Sequence, residues 1–347
     1  MSTLKTINLQ HPSATNPAIV LAADGSAAGN FSSSNGGPLA GFRNRIINGN
    51  FDIWQRGTSF SPTSNTYTAD RWAILFDGTG ATRTISQQSF ALGQTAVPNE
   101  PEYFVRFAQS VAGSGSTINR IDQRIEDVRT FAGQQVTISF WAKAAANTTM
   151  PSVQLAQYFG AGGSPSAEVY TTAGSSLALT TSWQKFSYSV SLPSISGKTL
   201  GTEDIDSLVP LFNMPLNTTF TIDIAQVQLE PGPVVTPFER RPIGTELALC
   251  QRYFQKNNSA QSRSIFQGYV VNGSNYLAQV QFPVAMRIAP TMSITVDDVF
   301  GFPGGAGTVT SDTLAFNQIK TTDSTQNSGF FISSWTASAE LYPSCIN

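Results

Sequence analysis

The run KFSYSVSL, residues 185–192, alternates without a break. Phe186, Tyr188, Val190 and Leu192 share one parity, and three serines take the other. A period of two puts successive side chains on opposite faces of a strand, so this stretch suits a half-buried sheet and not a helix. VTISFWAKA, 136–144, repeats the pattern with Val136, Ile138 and Phe140 against Thr137, Ser139, Trp141 and Lys143. SVQLAQYF, 152–159, sets Val153, Leu155 and Phe159 on one face, with Gln154 and Tyr158 on the other. From 46 to about 240, short runs of this kind are separated by Gly, Pro, Asn and Ser clusters, as a sandwich or barrel requires.

One strand breaks the rule. In TFTIDIAQVQLEPG, 219–232, Phe220, Ile222 and Ile224 share a parity, but Val227 and Leu229 fall on the other. A strand can keep both sets inward only by inserting one residue, which predicts a β-bulge near Ala225 or Gln226. Pro231 and Pro233 then end the strand.

The rest of the chain divides around this body. Residues 1–45 read as an extended anchor arm and linker. Its single apolar run, AIVLAA, needs a pairing partner in this chain, a sister chain or another protein, because one isolated strand is not stable. Residues 25–41 are a Gly/Ser/Asn linker. The body is expected over 46–240, closed by the Pro-rich stretch 231–244. A linking helix is expected over 241–257. Thr245 is its candidate cap, with Glu246 in the first turn and Arg252 and Lys256 near the end. Leu247, Cys250 and Phe254 form its apolar stripe, which suits packing on its own domain or on sister helices about a symmetry axis. Residues 258–347 return to short strands and read as a second sandwich, with GFPGGAG, 301–307, as a loop. The fold class is therefore all-β: arm, jelly-roll sandwich, one short helix, C-terminal sandwich.

Composition excludes several function classes. Charged residues make up 12% of the chain and the formal net charge is −2, so nothing draws a polyanion such as nucleic acid. No apolar run is long enough to span a bilayer, and no Sec-type address is read at the start. Phe is abundant at 23, enough with Val and Ile to build large cores despite the low charge. The single histidine, His11, lies between prolines and removes histidine-based triads and HExxH zinc sites. Cys250 and Cys345 form no disulfide framework.

IINGNFDIW, YTADRW, VTISFWAKA, SWQKFSYSVSL and FTIDIAQVQLEPG stand in the order found in jelly-roll carbohydrate-binding modules of the CBM4/9 kind, which the middle of the chain resembles. With the arm LQHPSA…PAIVLAADGSA and the helix ELALCQRYF, the whole chain looks like phage tail-fibre and virion-associated proteins that carry such a module. The resemblance implies a structural calcium between the first and last strands, with Asp52 and Asp223 at the matching acidic positions. The other reading of these two aspartates is turn capping, or pairing with Arg56 or Arg71. Trp141 with Gln154 and Tyr158 is the candidate sugar face, since sugars stack on aromatics while polar groups read their hydroxyls. A second apolar layer or a subunit interface accounts for Trp141 equally. Trp54, Trp72 and Trp183 are expected in the core. IDQRIEDVR, 121–129, offers carboxylates amid arginines but reads as a surface or intersubunit salt-bridge strip, so no catalytic residue is assigned.

The expected function is a structural phage virion protein, a tail fibre anchored to other phage structural proteins through residues 1–30. The resemblance implies a homotrimer that contacts host surface glycan, assembled in the bacterial host cytoplasm. A capsid decoration or head-fibre protein is the alternative, and a polysaccharide depolymerase is the third class.

Overall fold

The computed structural model describes residues 41–257 throughout, and side chains again over 279–294, 311–315 and 334–341; elsewhere it describes strand backbone only. Near the N-terminus, β1 (Asn8–Leu9), β2 (Ile19–Leu21) and β3 (Ala27–Gly29) form a small antiparallel sheet. The apolar run therefore finds its pairing partners on both sides within this chain. His11, Cys345 and the loop 301–307 lie outside the described residues.

The body is built from β4 (Ser59–Phe60), β5 (Thr66–Tyr67), β6 (Trp72–Phe76), β7 (Thr82–Ser89), β8 (Tyr103–Val111), β9 (Asn119–Gln123), β10 (Ile125–Glu126), β11 (Gln135–Ala144), β12 (Thr148–Tyr158), β13 (Val169–Leu179), β14 (Gln184–Ser191), β15 (Ser207–Asn213) and β16 (Phe220–Pro231). One sheet has six strands in the order β14-β11-β16-β8-β7-β4. The other has seven, in the order β13-β12-β15-β9-β6-β5, with β10 beside β15. Pairing is antiparallel in both, and the chain crosses repeatedly from one sheet to the other. This is the two-sheet all-β sandwich that the alternation predicts.

Between the sheets, Phe51, Trp72, Phe212 and Phe140 pack in that order, with ring centroids 5.1 Å apart for Phe51–Trp72, 6.0 Å for Trp72–Phe212 and 5.0 Å for Phe140–Phe212. Trp72 is the core tryptophan. Trp54 and Trp183 are half-buried instead, Trp54 stacking on Phe60 and Trp183 on Phe90 and Phe104.

The bulge in β16 lies where the parity break places it. Ser139 of β11 faces Gln228, but Trp141 faces Ala225, so Gln226 and Val227 together oppose Phe140. Gln226 takes a left-handed φ of 48°. The N–H of Val227 donates to the carbonyl of Gly49 at 2.8 Å. Val227 and Leu229 return to the core, while Gln228 and Glu230 emerge on the outer face.

The opening segment is not a strand, contrary to the expectation for IINGNFDIW. Asn48 and Phe51 both adopt left-handed backbone, with φ of 55° and 57°, which breaks an extended run. The Asn48 amide accepts from Ile53 N–H and donates to the carbonyls of Ile53 and Asp70, while its own carbonyl accepts from Trp72 Nε1. The segment is thus a stitched loop lying across the end of the sandwich.

The helix is also shorter than expected. α1 spans Ile243–Gln251, starts at Pro242 without a side-chain cap, and leaves Thr245 half-exposed. Glu246 accepts the N–H of Asn48 and pairs with Arg241, which also donates to the carbonyls of Asn44 and Ile46. Residues 254–256, expected as helix, are β17 (Phe254–Lys256), drawn out of the helix by pairing with a distant strand. The remaining strands are β18 (Phe266–Gln267), β19 (Tyr269–Asn272), β20 (Asn275–Gln281), β21 (Thr291–Asp297), β22 (Thr308–Ser311), β23 (Ala315–Thr321) and β24 (Phe331–Ser338), arranged with β17 in two four-stranded sheets. Of the apolar stripe, Cys250 and Phe254 are buried within this chain and Leu247 is half-buried, so the stripe packs on its own protein.

The strip 121–129 is mostly interior, contrary to the surface reading. Arg120, Asp122 and Arg124 are buried, Arg120 pairing with Asp122 at 3.2 Å. Glu126 takes Arg252 through both oxygens, at 3.1 and 2.9 Å, and only the Asp127–Arg129 pair is exposed. Alternation inside a sheet explains this: the charged positions face outward from β9, but neighbouring chain covers them.

At the junction with the C-terminal sheets, Glu340 takes both Arg71 and Arg56, the latter at 3.0 Å. Arg71 stacks 3.4 Å from the Tyr253 ring centroid, and Arg56 lies 3.6 Å from that of Phe254. Gln55 donates to Asp70 and to the Phe254 carbonyl.

Two outcomes follow from this packing. A Cβ on Gly49 would meet the Val227 carbonyl oxygen at 2.1 Å. Gly49→Ala is therefore expected to destabilise by about 1–3 kcal/mol or more, read as a lower urea midpoint. Burial pushes the Asp70 carboxyl up to about 6, against the opposing pull of Arg56 and the Gln55 hydrogen bonds. Its folded-state proton is held more tightly than the unfolded one, so its contribution to stability falls as pH rises from 3.8 through about 6. Asp70→Asn should remove that part of the slope when urea midpoints are compared across the same range.

Candidate functional site

The outer face of the six-stranded sheet carries a recess with an aromatic floor. Alternation in β11 sends Ile138, Phe140 and Ala142 into the core and Ser139, Trp141 and Lys143 outward. Trp141 pairs with Lys185 of β14 on one side and Ala225 of β16 on the other. Here the bulge matters, because it turns the Gln226 side chain onto the same face, where its amide donates to the Pro98 carbonyl at 2.8 Å.

Together with Pro98, Asn99 and residues 235–238, these side chains enclose a cavity of about 420 Å³. Its lining joins the Trp141 and Phe238 rings to Lys185, Gln226, Asn99, Ser139 and Thr236. The far wall is pinned by the residues that the bulge turned outward. Gln228 donates to Thr236 Oγ1 at 3.1 Å and accepts Glu239 N–H at 2.7 Å. Glu230 accepts the Thr236 N–H at 2.8 Å and its hydroxyl at 2.6 Å, and pairs with Arg43 at 3.4 Å.

Beside the cavity lies an ionic cluster. Arg106 holds Asp223 through both oxygens, at 2.8 and 2.9 Å, and Lys143 Nζ approaches the same carboxylate at 3.7 Å. Lys143 Nζ also sits 5.2 Å from the Trp183 ring centroid. An aromatic floor bordered by amide, hydroxyl and ammonium groups can stack an apolar ring face and bond the hydroxyls around it.

Of the sequence-derived candidates, the fold places Trp141 here and separates Gln154 and Tyr158 from it. β11 and β12 are consecutive in sequence but belong to opposite sheets. Gln154 is on the other sheet's outer face, accepting from Asn213 at 3.0 Å and donating to Thr172 at 3.2 Å. Tyr158 is buried beneath the Arg124 guanidinium, 4.7 Å from its ring centroid. The assumption that fails is that consecutive strands are neighbours.

Asp52 and Asp223 do not make a calcium site either. Both oxygens of Asp223 face cations, the arrangement of an ion pair. Asp52 accepts the Asn50 amide at 3.1 and 3.0 Å, and burial raises its pKa. Among the described residues no group of three or more His, Cys, Asp or Glu is placed to hold a metal ion. Sequence reading missed Lys185, Gln226 and Phe238. The parity break gave a signal for Gln226, since a bulge re-aims the residue it carries, whereas Phe238 carries no local signal at all.

No protein-family model matches the chain, and no curated protein matches it. Solved structures do resemble it. One is the enzymatically active domain of tailspike protein 4 from bacteriophage CBA120, 15% identical over 55% of this chain, with a TM-score of 0.35; the match spans 21% of that structure. A CBM4 structure is 18% identical over 54% of this chain and 99% of its own, with a TM-score of 0.31. A CBM22-1 xylan-binding domain from Paenibacillus barcinonensis is 11% identical over 51% of this chain and 94% of its own, with a TM-score of 0.31.

The pinned wall makes a direct expectation. Gln228→Ala removes the bonds that hold 236–239 against the sheet. Amide hydrogen exchange over 235–239 should rise while exchange in β11 and β14 stays as before.

Proposed function

We propose that this chain is a glycan-binding structural protein and that the cavity around Trp141 is its binding site. The observation that carries this reading is the half-buried indole on an outer sheet face, walled by Phe238 and bordered by Lys185, Gln226 and Asn99. An indole buried in a second apolar layer would lack those polar neighbours. The reaction class is binding and not cleavage: among the residues lining this cavity, Lys185 supplies the ionisable group, whereas glycoside hydrolysis needs two carboxylates across the bond.

A place in a phage virion, as a tail fibre anchored through residues 1–30, is supported by the resemblance of the arm and of NGNFDIWQRG to such proteins. The homotrimer and the division at 45 and 240 belong to the same proposal. Capsid decoration is the runner-up.

Glycan-array binding tests the site. The wild-type chain should retain a subset of bacterial surface glycans. Trp141→Ala should lose at least about tenfold in affinity, roughly 1.4 kcal/mol, with the melting temperature within a few degrees of wild type. Undiminished binding by Trp141→Ala would remove the site, and release of oligosaccharide from host polymer would replace binding with depolymerisation.

A further inference from the structure

A second cavity, of about 460 Å³, opens at an end of the sandwich, where the opening loop, β10 and the residue Tyr253 after α1 meet. Its walls include Arg45, Arg124, Tyr253, Phe131, Thr130 and Gln134. Nothing in the Trp141 site touches it, and the resemblance to carbohydrate-binding modules assigned it no role.

The charge balance of this cavity is one-sided. Arg124 is 3% exposed, and its Nε and Nη1 have no hydrogen-bond partner among the described residues. The face of its guanidinium rests on the Tyr158 ring, and the Asp122 carboxylate lies within electrostatic range of it. Arg45 also lines the cavity, exposed, its guanidinium 5.8 Å from the Phe131 ring centroid. Glu126 also lines the cavity, but Arg252 takes both its oxygens. Asp122, on the strand that leads to Arg124, pairs with Arg120 through one oxygen, while the other has no hydrogen-bond partner among the described residues. Arg45, Arg120, Arg124 and Arg252 thus outnumber the carboxylates Asp122 and Glu126 in and beside the recess. A buried excess of cations over carboxylates is costly, and an anion entering the recess offsets that cost. Guanidinium groups bind planar carboxylates through paired hydrogen bonds.

We propose that this cavity binds the carboxylate of an acidic sugar unit, such as a uronic acid, between Arg45 and Arg124. The sugar half of the assignment rests on the proposed glycan-binding function. The acidic half rests on the two arginines alone. The volume suits one or two sugar rings, and the Phe131 and Tyr253 rings with the Thr130 and Gln134 side chains supply the stacking and hydroxyl-reading groups. Acidic glycans would then engage the chain at two places, Trp141 on one sheet face and the arginine cavity at the end of the sandwich.

The test uses the full chain and two probes, galacturonate oligosaccharides and neutral galactose oligosaccharides of the same length, with affinity measured by calorimetry. Wild type should bind the acidic probe about tenfold more tightly than the neutral one, with the preference shrinking as salt is added. Arg45→Ala is the fold-safe variant, because its exposed side chain is removed while the backbone bond from Arg45 N–H to the Leu229 carbonyl remains. It should erase the acidic preference and leave neutral binding intact. Trp141→Ala should weaken neutral binding and keep the acidic preference. Equal affinity for the two probes in wild type overturns the proposal, as does an acidic preference that survives Arg45→Ala. Binding of an aspartate-rich peptide as tight as the galacturonate probe overturns the sugar assignment. Failure of the Trp141 site appears separately, as neutral binding unaffected by Trp141→Ala.

Discussion

Asn48 has its amide and both backbone polar groups engaged. Its side chain bridges Ile53 and Asp70, its carbonyl takes the Trp72 indole, and its N–H meets Glu246 of α1. A buried polar residue satisfied this fully fixes one arrangement, because any shift leaves several groups unpaired in a medium without water. The loop can therefore cross the end of the sandwich without a strand ladder, and the rest follows from its position. Gly49 comes close enough to the bulge to accept the Val227 N–H. Trp72 is held at the centre of the core, and α1 is tied down at its first turn through Glu246.

Alternation made the sandwich legible because each face of a strand reports its surroundings residue by residue. β14 and β11 were readable for that reason, and β16 was readable even in its irregularity, since two inward sets on opposite parities admit only an inserted residue. The helix boundary was not legible. Residues 254–256 have a helical pattern but pair with β24, a partner about eighty residues on, and tertiary pairing overrode local preference. The sugar face was half legible: Trp141 follows from parity, but its neighbours depend on which sheet the next strand joins, which no local pattern records. The arginines at 120 and 124 misled in the same way, since parity shows that they leave the core but not that other chain lies over them.

The dense cluster Asp52, Trp54, Gln55 and Arg56, together with Asp70 and Arg71, has the composition of an active site. In the structure it divides its work. Gln55, Arg56, Asp70 and Arg71 are the socket for the C-terminal sheets, where Glu340 sits between two guanidinium groups that stack on Tyr253 and Phe254. Asp52 stays with Asn50, beside the socket. The two candidate ligand cavities lie elsewhere, one on a sheet face and one at an end, each lined by residues brought together from distant parts of the sequence.

The Arg56–Glu340 pair joins residues 284 positions apart. A ribosome makes the second residue of this pair 284 positions after the first. While the intervening residues are made the socket stands open, with Arg56 in water and the ring of Phe254 not yet fitted beneath it. The closing contact must wait for Glu340, and a chain that stops short of it carries an unsealed sandwich end whose apolar and charged surface is open to other contacts until that residue arrives.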